Sequence, residues 1–488
     1  MPHHLTHAQT DRACGVLIAS AAGDALGAGY EFAAVRPDLV PDMIGGGLGD
    51  FAPGEWTDDT AQAVAVAQAA ATGGDLRDPA MLDAIAAGFA RWYAGRPPDV
   101  GNQTRAVLSR AGHAPSAARM TEAARDVHER AGRSAGNGSL MRTGPVALAH
   151  LDDPAALVEA AMTISALTHH QDHAQEACAL WSLMVRHAVL TGAMPAFDDV
   201  APWMPNRDVW RDRLREAQER PPSAFTTNGW AVGALQAAWS AITHTPVDEA
   251  DPSRHLTNAL TTAIRIGHDT DTVAAIAGSL LGARWGMTAV PARWRRILHG
   301  WPGIDARELE RLAVLAVTGG RGVKYGWPAV DHIDYRALQH GRPALARHPF
   351  DDGVWLAGAT ALDALPSGVD AVVSLCLTGR TQVPDGVEHV TFRLQDEAAP
   401  ESNPHLDAVL RDAAATVAAL RREGRTVLVH CVAAHSRTPT VAIAYAMLLG
   451  VPLERATEAV CAALPAASPN PGFRRALARL EAGRSADA

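Results

Sequence analysis

Residues 54–68 read GEWTDDTAQAVAVAQ: two adjacent carboxylates, Asp58 and Asp59, stand between threonines and lead at once into an apolar helical run. Asp and Thr both cap helix N-termini and suit the positive end of the helix dipole, which accounts for one carboxylate better than for two. A second stretch, GHDTDTVAAIAGSLLGARWG at 267–286, repeats the form, with Asp269, Thr270, Asp271 and Thr272 opening another apolar helix. The repetition makes capping alone insufficient. Around these stretches PAALVEAAMTISAL, HAQEACALWSLMVRHAVL and WAVGALQAAWSAI carry apolar residues at helical spacing, and strand-like alternation is rare from residue 11 to about 320. That part of the chain reads as all-α.

A chain of 488 residues exceeds one ordinary core, so two or more domains are expected. With 48% hydrophobic and 20% charged residues the composition is globular, and a net charge of -10 offers no general attraction to nucleic acid or anionic membrane. The opening MPHHLTHAQT lacks the pattern of a signal peptide, and no uninterrupted apolar run reaches membrane-spanning length. The expectation is a soluble, cytoplasmic protein with no membrane partner. Cys14, Cys178, Cys376, Cys431 and Cys461 are scattered, odd in number and without paired zinc spacing, so neither disulfides nor structural zinc are expected.

Glycine, proline and charge accumulate over residues 318–353, where helical periodicity fades. Beyond it VWLAG, DAVVSLCL, EHVTFRL and RTVLVH are short β-branched runs separated by turns or by the helix-like NPHLDAVLRDAAATVAALRREG, the texture of an α/β unit. The expected organisation is an all-α domain over 1–325, a linker over 326–350 and an α/β domain over 351–488.

If the two acidic clusters converge, their carboxylates repel one another unless they are separated or hold metal. Oxygen ligands without cysteine point to a hard ion, Mg²⁺ or Mn²⁺, and a pair of ions suits two clusters. GDALGAGYEF (23–32) adds Glu31 after a glycine-rich stretch, GNGSLMR (136–142) offers backbone N–H groups with Asn137, Ser139 and Arg142 to an anion, and SALTHHQDHAQEAC (165–178) adds a Thr-His pair before a helix. In this order, G-D-x-x-G-x-x-x-E, W-T-D-D-T, G-N-G-S-L-M-R, T-H and D-x-D-T, the set closely resembles the ADP-ribosylglycohydrolase family, which includes the dinitrogenase reductase-activating glycohydrolases, over about residues 11–320. The resemblance implies a binuclear Mg²⁺ site, with Mn²⁺ as the alternative to Mg²⁺, and cleavage of the bond between ADP-ribose and an acceptor, whether protein, nucleic acid or small molecule. It places Thr57, Asp58, Asp59, Asp269, Asp271 and Thr272 on metal-ligand positions and Glu31 on the mobile acidic position. Asn137, Gly138, Ser139, Met141, Arg142 and His169 fall on substrate-binding positions. Glu31, Asp58 and Asp59 all stand as candidates for proton transfer.

In RTVLVHCVAAHSRTPTVAIAYAMLLG (425–450) a strand, a tight loop and a helix follow one another, with Cys431 and Arg437 bracketing five residues. Loop N–H groups, a helix N-terminus and a bidentate arginine suit a phosphate, and the same field favours a thiolate nucleophile. The segment resembles the H-C-x5-R-[S/T] signature of cysteine-dependent protein tyrosine and dual-specificity phosphatases, and the likeness extends over about 351–450. It implies Cys431 as nucleophile, Arg437 as phosphate ligand, Asp396 as general acid, and Ser436 and Thr438 as substrate-binding residues that assist the sulfur. Ala434 stands where that loop normally has glycine, at a cost of roughly 1 kcal/mol or more if the position needs a glycine backbone. The expected whole is an ADP-ribosyl hydrolase fused to a phosphatase acting on a phosphorylated substrate; the alternative makes the second domain a phosphate-binding recruitment module.

Overall fold

The structure, a computed structural model, describes residues 5–338 and 344–486, in two units. Residues 1–4, 339–343 and 487–488, including the middle of the expected linker, lie outside the described residues.

The first unit, which ends at Gly322, is built of helices, with a two-residue antiparallel pair, β1 (His299–Gly300) and β2 (Ile304–Asp305), near its end. Its centre is the N-terminal helix His7–Gly27, which starts in a capping box between Thr6 and Gln9. This helix runs antiparallel to Thr270–Trp285 at backbone contact. A Cβ on Gly15 would stand 2.3 Å from the Gly282 carbonyl oxygen, one on Gly278 2.2 Å from Ala19 O, one on Gly23 2.3 Å from Ala274 O, and one on Gly27 2.5 Å from the Asp271 Cα. The spacing of these positions is one helical face, and only glycine lets two helices approach this closely. The Thr270 hydroxyl, donating to Gly27 O at 2.9 Å, closes the end of the contact.

One segment, His7–Tyr30, is long and apolar enough to cross a membrane by length and composition, but 89% of its apolar window is buried inside the protein. Asp11, Arg12 and Asp24 interrupt it, so it remains consistent with the absence of an uninterrupted apolar run and behaves as a core helix.

The second unit is a five-stranded sheet in the order β3-β4-β7-β5-β6. Its strands are β3 (Leu345–His348), β4 (Asp351–Gly358), β5 (Ala371–Ser374), β6 (Glu388–Thr391) and β7 (Val427–Cys431). β3 is antiparallel to β4 and the other pairs are parallel. Because β3 lies within 345–348, the sheet begins inside the stretch expected to be linker; its alternation is too short to show against the surrounding glycine and proline. On β7 the side chains alternate: Val427, Val429 and Cys431 join the core with the helices Leu406–Arg422 and Arg437–Leu448, while Leu428 joins Ala357, Val372 and Val383 on the other face. Cys431 thus ends the central strand, at the C-terminal edge where open α/β sheets bind ligands.

Gly23→Val is expected to destabilise the first unit by roughly 1–3 kcal/mol or more, since the added side chain meets backbone rather than a yielding side chain. A thermal melt of the full chain checks this; an unchanged melting profile contradicts the close-contact account.

Candidate active sites

The glycine contact brings Asp24, near the end of the first helix, beside Asp271 at the start of its partner. Asp24 is fully buried and receives Thr57 N–H and Thr60 N–H, both at 2.9 Å, and the Thr60 hydroxyl at 2.6 Å. It therefore caps the Asp58–Ala70 helix from outside, while Thr57, at the cap position, makes no capping bond of its own. The Asp58 and Asp59 side chains are thereby freed from capping.

Oxygens of Asp24, Asp59 and Asp271 lie within 4.8 Å of one another, as do those of Glu31, Asp269 and Asp271. Asp271 belongs to both triads. Thr57 Oγ1 donates toward Asp59 Oδ2 (3.2 Å) and Asp271 Oδ2 (3.4 Å), and Thr272 Oγ1 toward Asp59 Oδ2 (3.3 Å). Asp59 Oδ1 is buried without a hydrogen-bond partner among the described residues. Asp58 stands outside both triads, with Oδ2 accepting from Gln62 Nε2 at 3.0 Å. Asp269 accepts from Asn137 Nδ2 at 2.8 Å. The preceding turn, with Gly267 and His268 at φ 80° and 62°, directs its chain into the helix.

Burial raises every one of these carboxyls above the usual range, and at Glu31, Asp58, Asp59 and Asp271 the neighbouring carboxylates add to it. Asp59 and Asp271 go well above it, while burial, then Asp269 and Asp99, push Glu31 up to about 8. Such a set is stable as carboxylates only with compensating positive charge. An all-oxygen donor set with a buried oxygen that has no partner among the described residues fits hard divalent cations. Asp24, Asp59 and Asp271 would hold one, Glu31, Asp269 and Asp271 the other. The sequence reading missed Asp24, although it lies in the quoted GDALGAGYEF; a lone charged residue within the stretch 13–27 of the helix was the available signal.

A cavity of about 790 Å³ opens beside Thr57 and Asp58, walled by Trp56, Trp92, Trp301 and Asp99 among others. Asp99 was also missed. Of the expected binding residues, Gly138 lies against the His169 ring, which a Cβ there would meet at 3.4 Å. Ser139, Met141 and Arg142 depart from expectation, because their side chains turn into the core. Ser139 accepts from Ser165 Oγ at 2.9 Å, Met141 is buried, and Arg142, 1% exposed, donates to Gln62 Oε1 and Thr168 Oγ1. In the short turn Asn137–Ser139 both Asn137 and Ser139 are buried.

In the second unit the loop after Cys431 returns into the Arg437–Leu448 helix. Ala434 has φ 53°, so the residue in the glycine place does adopt the left-handed backbone. Arg437 donates from Nη1 to Leu375 O (3.0 Å) and Leu394 O (3.1 Å), while its Nε is buried without a partner among the described residues, as suits an anion site. His430 Nε2 meets Ser374 Oγ at 2.6 Å, and burial holds this imidazole down to about 4, neutral beneath the cysteine. Thr438 donates to Ala357 O at 3.3 Å and Ser436 Oγ accepts from Asn470 N–H at 3.1 Å, so these hydroxyls fix the loop instead of contacting the sulfur. Asp396 is exposed and accepts from Asn470 Nδ2 at 3.0 Å. Asn470, which the sequence reading missed, thus ties the Asp396 segment to the loop that follows Cys431.

A buried oxygen-ligand centre in a helical unit and a Cys-x5-Arg loop on an α/β sheet together define a two-domain protein of hydrolase type. The family model "ADP-ribosylglycohydrolase" matches residues 5–324, and the chain belongs to that family. "Dual specificity phosphatase, catalytic domain" matches residues 368–482. The chain is 32% identical over 292 residues to ADP-ribosyl-[dinitrogen reductase] glycohydrolase of Rhodospirillum rubrum, covering 58% of this chain and 89% of that protein. It is 30% identical over 308 residues to ADP-ribosylarginine hydrolase Tri1 of Pseudomonas putida (strain GB-1), covering 58% and 73%. Its second domain is 32% identical over 133 residues to human dual specificity phosphatase 28, covering 26% and 73%.

Asp24→Asn should weaken divalent-cation binding about tenfold or more, since one charged contact is lost and an amide donor is set against helix N–H donors. Calorimetric titration with Mg²⁺ measures it, and unaltered affinity removes Asp24 from the site.

Proposed function

We propose that the first domain is an Mg²⁺-dependent hydrolase that removes ADP-ribose from arginine. The observation that carries the acceptor assignment is Asp99, a half-buried carboxylate that accepts no hydrogen bond among the described residues and shares the cavity wall with Asp58. A guanidinium entering there finds a carboxylate partner and the indoles that line the cavity. The name of the Pseudomonas putida relative, an ADP-ribosylarginine hydrolase, supports the same acceptor. Leaving of the acceptor builds positive charge on the anomeric carbon of the ribose. Two bound Mg²⁺ ions would supply charge to orient ribose hydroxyls and acidify a water. Asp58, outside both triads and aimed by Gln62, is the carboxylate left to hold a proton near the departing nitrogen. Asp99→Asn should raise KM for an ADP-ribosylarginine peptide about tenfold with little change in kcat. Faster release from ADP-ribosylated serine, DNA or RNA than from arginine would overturn the acceptor.

For the second domain we propose phosphomonoester hydrolysis through Cys431, with Arg437 binding phosphate and Asp396 protonating the leaving oxygen. The left-handed Ala434 favours a second reading, a loop that binds phosphate without useful turnover. Turnover of p-nitrophenyl phosphate that disappears in Cys431→Ser supports the first; phosphate binding without turnover supports the second. Asp396→Asn should slow poor leaving groups more than good ones, and equal slowing rules out the general-acid role.

A further inference from the structure

Arg142 is 1% exposed, packs its guanidinium 4.3 Å from the Phe89 ring centroid, and makes no salt bridge among the described residues. Burying such a charge without an ion-pair partner is costly, so what it organises matters. Nη1 donates to Gln62 Oε1 at 2.5 Å, and Gln62 Nε2 donates to Asp58 Oδ2 at 3.0 Å. Nη2 donates to Thr168 Oγ1 at 2.7 Å, and that hydroxyl stands 2.8 Å from His169 Nδ1. The two chains start from separate nitrogens of one guanidinium and end on residues from separate motifs.

We propose that Arg142 is a positioning residue: it fixes the direction of both chains, so that Gln62 aims its amide nitrogen at Asp58 and His169 presents Nε2–H as a donor toward the Gly136–Gly138 turn. The proposal rests on the ADP-ribosyl hydrolase reading of this site. Arginine has donors only, so each group facing it must present an acceptor. Gln62 must therefore turn its oxygen to Arg142 and its nitrogen to Asp58; the reverse orientation sets donor against donor at one end and acceptor against acceptor at the other. Thr168 must likewise accept from Arg142, and among the described residues the remaining acceptor for its own proton is His169 Nδ1. Burial and the charge of Arg142 keep the imidazole neutral, so its single proton lies on Nε2. Cβ atoms at Gly136 and Gly138 would meet the ring at 3.4 Å, so these glycines keep that edge clear of side chains. An acceptor oxygen of ADP-ribose, from phosphate or ribose, is the ligand atom this donor fits.

The test is the tautomer of His169 in the full chain labelled with [15N]histidine, with the resonance assigned through His169→Gln, together with ADP-ribose affinity by calorimetry. Wild type and Thr168→Ser should show Nε2–H with Nδ1 accepting. Thr168→Val and Arg142→Lys should give a mixture or the opposite tautomer. ADP-ribose affinity should fall about tenfold in Thr168→Val and return in Thr168→Ser. An Nδ1–H tautomer in wild type, or Thr168→Val with unchanged tautomer and affinity, overturns the proposal. If wild type shows the expected tautomer but does not bind ADP-ribose, the hydrolase reading is overturned while the spectrum upholds the positioning assignment.

Discussion

Two helices at backbone contact set the geometry of the first domain. Gly15, Gly23 and Gly27 on His7–Gly27 meet Gly282, Ala274 and Asp271 on Thr270–Trp285, with Gly278 filling the interval against Ala19. The contact places residues some 250 positions apart in the chain at one point, the Thr270 hydroxyl closing on Gly27 O. Asp24 then carries the arrangement to a third helix, because its two oxygens accept from the N–H groups of Thr57 and Thr60. The position of each acidic cluster follows from backbone packing rather than from any attraction between the clusters.

That packing has an electrostatic cost, visible in carboxyls pushed upward by burial and by one another. Hydrogen bonds from Thr57, Thr272 and Asn137 offset part of it, and Asp59 Oδ1 is left without a donor among the described residues. A cation centre is the economical resolution, since protonating the set would discard the charge that the chemistry needs. The second domain has the inverse problem. There the buried Arg437 Nε has no hydrogen-bond partner among the described residues, a donor that a phosphate oxygen would satisfy.

The sequence made the helical domain, the α/β domain and both Asp clusters legible, because each is local: a helical period, a strand–loop–helix, two carboxylates at a helix start. Ala434 was legible as an irregularity, and its φ of 53° shows why the position matters. Relations between distant segments were not legible. Asp24 acts on N–H groups of a helix that begins over thirty residues later, and Asn470 bridges Asp396 to Ser436 from beyond both motifs. Arg142 misled for the same reason. An arginine after a glycine-rich turn suggests an anion ligand, but its direction is set by Phe89, Gln62 and Thr168, which no local pattern contains.

The central proposal is that the two separated acidic motifs, with Asp24 and Glu31, would hold two cations, Asp271 belonging to both sets of ligands. Manganese electron paramagnetic resonance tests it most directly, because two ions sharing a carboxylate are magnetically coupled. The account predicts two Mn²⁺ per chain with a coupled spectrum, and loss of the coupling in Asp271→Asn. Binding of a single ion, or two uncoupled ions whose spectrum is the same in Asp271→Asn, would contradict it.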